Sequence, residues 1–218
     1  LSQNNMKQDY TQVAPVVKNA VDILQRAASN KGGLTGIPTG YSGMDEMTSG
    51  WQASDLVIIA GRPAMGKTSF ALSIAKNVAV DYNVPVGFFS LEMNNVQLVN
   101  RLISNVCEIS GHKILNGQLD PSDWEKLDKR IGRLTEAPIY VDDTPGLSVF
   151  ELRTKARRLV REKGVKLIMI DYLQLMNANG MKFGSRQEEV STISRSLKGL
   201  AKELDIPVLA LSQLSRNV

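Results

Sequence analysis

The most constraining feature of this chain is the octapeptide Gly61-Arg62-Pro63-Ala64-Met65-Gly66-Lys67-Thr68, which fits the pattern G-x-x-x-x-G-K-[ST]. At average composition such a match arises by chance in a chain this long on the order of once in a hundred sequences. Its flanks are those the pattern needs: an apolar run at 56–60 leads in, and a helical pattern beginning at Lys67 leads out. Glycines let backbone N–H groups turn inward around phosphate oxygens, and the helix N-terminus adds partial positive charge. Lys67 can reach the outer phosphates, and the Thr68 hydroxyl can ligate Mg²⁺. The eight residues, with Ser69 in the next position, are therefore candidate nucleotide-binding residues. The competing reading is a glycine turn with an incidental lysine.

A phosphate loop of this kind demands an α/β fold, and the rest of the chain supplies one. Near-continuous apolar runs at 56–60, 86–91, 139–141, 167–170 and 208–211 read as strands of a parallel sheet covered on both faces. Helical patterns lie between them. One follows the phosphate loop at 69–80, and a second carries Val96, Val99, Leu102, Ile103 and Val106. Asp120-Pro121 opens a third, whose apolar face is Trp124, Leu127, Ile131 and Leu134. Ser148 and Glu151 form a capping box for a helix running to about Lys163, and Val190, Ile193, Leu197, Leu200 and Leu204 mark the last. The spacing predicts a doubly wound domain over 51–218.

Ahead of that core, residues 1–9 are polar and read as a disordered tail. Residues 10–28 form a helical pattern with one apolar stripe, Val13, Val17, Ala20, Val21 and Leu24. A glycine-rich connector, 29–50, separates this helix from the core. The helix either packs on its own domain or docks its stripe on a neighbouring copy.

Hydrolysis of a bound triphosphate needs an acid for the Mg²⁺ shell and a base for the attacking water. In a doubly wound sheet both sit at carboxyl ends of strands, beside the phosphate loop. Asp171 ends the run 167–170 and is the candidate metal-linked aspartate. Glu92, after the run 88–91, is the candidate catalytic base. Gln213 follows the run 209–212, where an amide could sense the terminal phosphate. Strands often end in polar residues, so the set of three carries more weight than any one member. Asp142 and Asp143 also end a strand but have no partner motif, and read as loop acids.

No apolar run approaches the roughly 18 residues of a membrane span. The start LSQNNMKQDY is not a signal peptide, and Cys107 is the lone cysteine. These features point to a soluble, cytoplasmic protein. The net charge of +4 allows a polyanionic partner without requiring one.

Several stretches together resemble the C-terminal motor domain of DnaB-type replicative DNA helicases. They are Gly36-Ile37-Pro38-Thr39-Gly40 with Asp45, then Gly50-Trp51, GRPAMGKTSFAL, FFSLEM, IDYLQLM, RQEEVSTISRSLKGLAKEL and PVLALSQLSR. The resemblance runs from about residue 10 to Val218. It implies a RecA-like fold working as a homohexameric ring on single-stranded DNA, hydrolysing ATP or another nucleoside triphosphate with Mg²⁺ at subunit interfaces. It also implies a primase and a helicase loader as partners. Carried over by position, Lys67 and Thr68 match the phosphate-loop pair, Glu92 the water-activating glutamate, Asp171 the Mg²⁺-linked aspartate and Gln213 the switch glutamine. The 10–28 helix matches the linker helix that packs on the adjacent subunit. The family's N-terminal domain, its arginine finger and its central DNA loop have no counterpart in these 218 residues. The expectation is a fragment that binds nucleotide and is weakly active alone. RecA- or RadA-like recombinases, and a nucleotide-binding scaffold without motor work, are the alternatives.

In a RecA-like ring the loop at 177–186 looks toward the central channel, which makes Lys182 and Arg186 candidate DNA-binding residues. The run Arg153, Lys155, Arg157, Arg158, Arg161 and Lys163 reads as the solvated face of a surface helix. Lone His112 has no zinc spacing, and Trp51 and Trp124 are expected to pack.

Overall fold

A computed structural model describes residues 12–29, 34–177 and 185–214. Expectations for the 1–9 tail and for Lys182 lie outside those residues. The described elements are helix α1 (Val13–Ser29), helix α2 (Ser42–Thr48), strand β1 (Leu56–Gly61), helix α3 (Lys67–Lys76), strand β2 (Val86–Ser90), helix α4 (Asn95–Cys107), helix α5 (Gly111–Asn116), helix α6 (Pro121–Glu136), strand β3 (Ile139–Asp142), helix α7 (Val149–Lys163), strand β4 (Leu167–Asp171), helix α8 (Arg186–Leu204) and strand β5 (Val208–Gln213). A π-helical turn at Asn77–Asp81 extends α3.

Local chemistry sets the helix starts. Asn94 with Gln97, Asp120 with Asp123, and Ser148 with Glu151 make reciprocal capping boxes at α4, α6 and α7. Each satisfies N–H groups that the first helical turn leaves unpaired. Pro121 opens α6, where a missing N–H costs nothing. The short helix α2, which periodicity did not single out, lies inside the 29–50 connector.

The five strands form one parallel sheet in the order β1-β5-β4-β2-β3. Alternate residues feed two cores. Phe89, Ile168, Ile170, Val208 and Ala210 pack with Leu152 and Ala156 of α7 and with Ile193, Leu197 and Leu200 of α8. Phe88, Leu167, Met169, Leu209 and Leu211 pack with Leu72 and Ile74 of α3, Leu98 and Leu102 of α4, and Trp51. Burial on both faces explains why β2, β4 and most of β5 read as unbroken apolar runs, whereas the edge strands β1 and β3, expected to be covered on both faces, are only partly so because each has a neighbour on one side alone. A smaller cluster around Val106, Cys107 and Ile109 ties α4 to α5 and α6.

Trp124 departs from expectation. It is 57% exposed, while Leu127, Ile131 and Leu134 of the same helix pack inward. It stands at the margin of the stripe, where periodicity does not distinguish a buried edge from a wet one. The basic run on α7 does more than meet solvent. Arg153 and Arg157 converge on Glu203 of α8, and Lys155 bonds Asp142 and Thr144 at 2.6 Å each. Among the described residues no helix is long and apolar enough to cross a membrane.

Candidate active site

In a parallel sheet all carboxyl ends lie on one edge, so strand order decides which loops meet. The order β1-β5-β4-β2 sets the phosphate loop beside Gln213, with Asp171 at the end of the next strand and Glu92 just past the end of the one after it. The register is explicit: Gly61 pairs with Gln213, and Ser90 with Asp171.

The phosphate loop turns through two left-handed residues, Ala64 (φ 63°) and Gly66 (φ 80°). Gly66 is the N-cap of α3 and offers no side chain, so no side-chain cap occupies the first N–H groups of the helix. Lys67 folds back over the loop and donates to the Arg62 carbonyl at 3.1 Å. A Cβ at Gly61 would sit 3.3 Å from the Lys67 Cγ, so the glycine leaves room for the lysine stem. Met65 at the loop tip is 73% exposed.

Asp171 is only 1% exposed. Burial pushes its carboxyl above the ordinary carboxylate range, and the nearby Glu92 charge adds to the rise. The Thr68 hydroxyl, which donates to it, and the Lys67 and Arg101 charges oppose the rise. Its Oδ2 is buried without a hydrogen-bond partner. A buried carboxylate oxygen with nothing to bond, next to the phosphate-loop threonine, is a costly arrangement in an otherwise well-paired core. It suits a hard cation held through one carboxylate and one hydroxyl, the donor set Mg²⁺ takes beside phosphates.

Glu92 lies two residues past the end of β2, and the Leu91 N–H donates to the Asp171 carbonyl at 2.7 Å. The Glu92 carboxylate is exposed, and its charge reaches Asp171 and Tyr172. Gln213 is held at the end of β5, where the next residue, Leu214, donates its N–H to the Gly61 carbonyl at 3.1 Å. Lys67, Thr68, Glu92, Asp171 and Gln213 thus gather at one edge. Arg186 stands apart from them at the start of α8, paired with Glu189 and donating to the Gln174 carbonyl. Asp142 and Asp143 serve local structure, the first with Lys155 and the second by accepting from the Asn95 N–H at 2.9 Å.

Sequence reasoning missed two residues. Arg101, on α4, acts on Asp171 by charge and lines a cavity of about 600 Å³ with Ser69, Ser73, Asn105 and His112. Gln174, in the turn after β4, bonds both Ser212 and Gln213. Neither has a spacing that announces it, although Gln174 is a polar residue inside the apolar stretch Tyr172–Met176, which is a usable signal.

Residues 36–218 match the DnaB-like helicase C terminal domain family. The chain belongs to that family. Over all 218 residues it is 47% identical to the replicative DNA helicase DnaB of Geobacillus stearothermophilus, and it spans 48% of that protein's length. A solved ATPase domain of G40P superposes with a TM-score of 0.86 at 38% identity, covering 95% of this chain and 73% of that one. A DnaB-like replicative helicase, solved in a study of its interactions with primase, gives 0.81 at 38% identity over 95% of this chain and 49% of that one. The DnaB-like sheet, with its phosphate loop after β1, is the fold described above.

The buried Asp171 bears on the stability of this DnaB-like domain. A carboxyl whose pKa rises on folding contributes stability that is fully present below the unfolded carboxylate pKa and is lost as pH rises through the folded value. Asp171→Asn removes that loss. At neutral pH and without nucleotide, the variant is expected to melt higher than the native chain. The gain should shrink as pH falls toward the unfolded carboxylate pKa. Calorimetry across that window checks both statements, and an unchanged or lower melting point at neutral pH would contradict them.

Proposed function

We propose that this chain is the ATP-hydrolysing motor domain of a replicative DNA helicase, working as a homohexamer on single-stranded DNA. The observation that carries the reading is the meeting of a phosphate loop, two carboxylates and an amide at the ends of four neighbouring strands. Residues 61–69, save Pro63, which has no N–H, cradle the triphosphate through backbone N–H groups, and Lys67 leaves the Arg62 carbonyl to neutralise the outer phosphates. Thr68 and Asp171 would hold Mg²⁺, which when bound neutralises charge on the β- and γ-phosphate oxygens. Glu92 orients a water against the γ-phosphorus and takes its proton as the bond to the β-phosphate oxygen breaks. Gln213 reads the presence of the terminal phosphate through its side-chain amide. Arg101 adds a cation on the α4 side of the same site.

The site is open in a single copy, since Glu92 and the loop tip are exposed. Excluding water from it calls for a second copy. Hence the 218 residues alone bind nucleotide and turn it over weakly. Mg²⁺-dependent binding of a fluorescent ATP analogue to the chain tests the reading. Indifference to Mg-nucleotide ends it, and vigorous DNA-stimulated hydrolysis by the isolated chain ends the claim of weak activity.

Helix α1 supplies the contact between copies. Val13, Val17, Val21 and Leu24 are all exposed along one stripe, and a 17-residue helix is marginal in water unless its apolar face is covered. Joint substitution Val17→Asp and Val21→Asp is expected to weaken self-association at least tenfold, given about 1.5–3 kcal/mol for each buried valine. Sedimentation velocity reads the effect. The core should melt unchanged, because the stripe residues are exposed and belong to none of its clusters. Lys182 and Arg186 contribute to the DNA contact, Arg186 through the part of its guanidinium left open beside Glu189. A primase is named with one similar helicase. We extend that partnership, and a helicase loader, to this chain in the cytoplasm.

A further inference from the structure

The last paired residues of β4 and β5 are Ile170 and Ala210. Past them β4 turns away, while Leu211, Ser212 and Gln213 stay paired with β1. Backbone groups on the β4 side of that extension lose their neighbouring strand, and unpaired groups there are costly. The side chain of Gln174, on the 3-10 turn Leu173–Leu175, takes the strand's place. Its Oε1 accepts from the Gln213 N–H at 3.1 Å, and its Nε2 donates to the Gln213 carbonyl and the Ser212 hydroxyl at 3.0 Å each. A primary amide carries a donor and an acceptor side by side, as a peptide group does, so one side chain continues the ladder. On the opposite edge of β5, Leu214 is bonded to Gly61 of the phosphate loop. The Gln174 carbonyl accepts from the Arg186 guanidinium at the head of α8. A continuous line of hydrogen bonds therefore runs from the phosphate loop through Gln213 and Gln174 to Arg186.

We propose that Gln174 is a positioning residue. It fixes the backbone of Gln213 beside the phosphate loop and carries changes of nucleotide state to the first turn of α8. The proposal rests on the reading of Gln213 as the group that reads the terminal phosphate. Glycine or alanine in its place would also remove packing, so the informative changes keep the shape. Gln174→Glu retains the acceptor but loses both donated bonds, and Gln174→Leu loses all three.

The test uses the 218-residue chain in two arms. Without nucleotide, amide hydrogen exchange read by NMR should quicken at Gln213 about tenfold in Gln174→Leu, the loss expected for a hydrogen bond of this kind. Gln174→Glu, which keeps the acceptor for that N–H, should fall between. With nucleotide, replacing Mg-ADP by Mg-ATPγS should shift the Arg186 guanidinium resonances in the native chain and leave them still in either variant. Unchanged Gln213 exchange in Gln174→Leu overturns the clamp. An Arg186 response that persists in both variants overturns the relay. A glutamate variant identical to the native chain in both arms reduces Gln174 to a space filler and overturns the proposal. If the native chain binds no Mg-nucleotide, the nucleotide reading fails by itself, while the exchange arm still decides the clamp.

Discussion

Lys67→Ala is expected to weaken binding of Mg-ATP by about a hundredfold, with hydrolysis falling below detection. Hydrogen bonds to charged groups contribute about 1.5–3 kcal/mol each, and an ammonium set between the outer phosphates makes more than one. In the structure the Lys67 ammonium donates to the Arg62 carbonyl, an interaction it can exchange for phosphate oxygens. The variant should still fold, since Lys67 is half-buried at the loop and not part of either core cluster. Titration with a fluorescent ATP analogue, beside a thermal melt, separates the two effects. A variant that binds nucleotide as the native chain does would remove the phosphate loop from the proposed mechanism.

Glu92→Gln should divide the reaction the other way. Proton transfer by a positioned side chain contributes typically about 10²–10⁴-fold, so turnover is expected to drop by that factor. Nucleotide affinity should change by no more than roughly threefold, the pattern of an interaction made only in the transition state. Glutamine preserves the shape of an exposed side chain and removes one negative charge. That charge helps to raise the pKa of Asp171, so the variant's Asp171 should ionise at lower pH than the native one. Hydrolysis assayed in the assembled ring, with equilibrium binding measured alongside, provides the check. Unwinding that continues unchanged in the variant would favour a scaffold that binds nucleotide without using it.

The strand end at Asp171 is legible along the chain for a physical reason. A strand buried on both faces must be apolar throughout, so a carboxylate at its end stands out against the run, as Asp171 does after 167–170. The N-cap of α6 and the capping box of α7 were legible because their chemistry is local, satisfied within four residues. What periodicity could not judge was the margin of an apolar stripe, so Trp124 was expected inside and lies exposed. The helix α2 spans only 7 residues, too few for a period to show among the glycines around it.

Gln174 and Arg101 were illegible for a different reason. Each owes its place to where two elements distant in the chain come together, Gln174 to the divergence of β4 from β5 and Arg101 to the packing of α4 against α3. The order β1-β5-β4-β2-β3 belongs to this class too, because parallel strands joined by long crossovers can be laid side by side in several ways. By itself the amino-acid order determined which groups exist: a phosphate loop, acids and an amide closing apolar strands, and a helix with an uncovered stripe. Only tertiary structure decided their neighbours, and with them the desolvation of Asp171 and the unpartnered Oδ2 it holds beside Thr68. Hydrophobicity and capping act over a few residues and are written along the chain. Desolvation and charge coupling act through space and come into being only when the sheet closes.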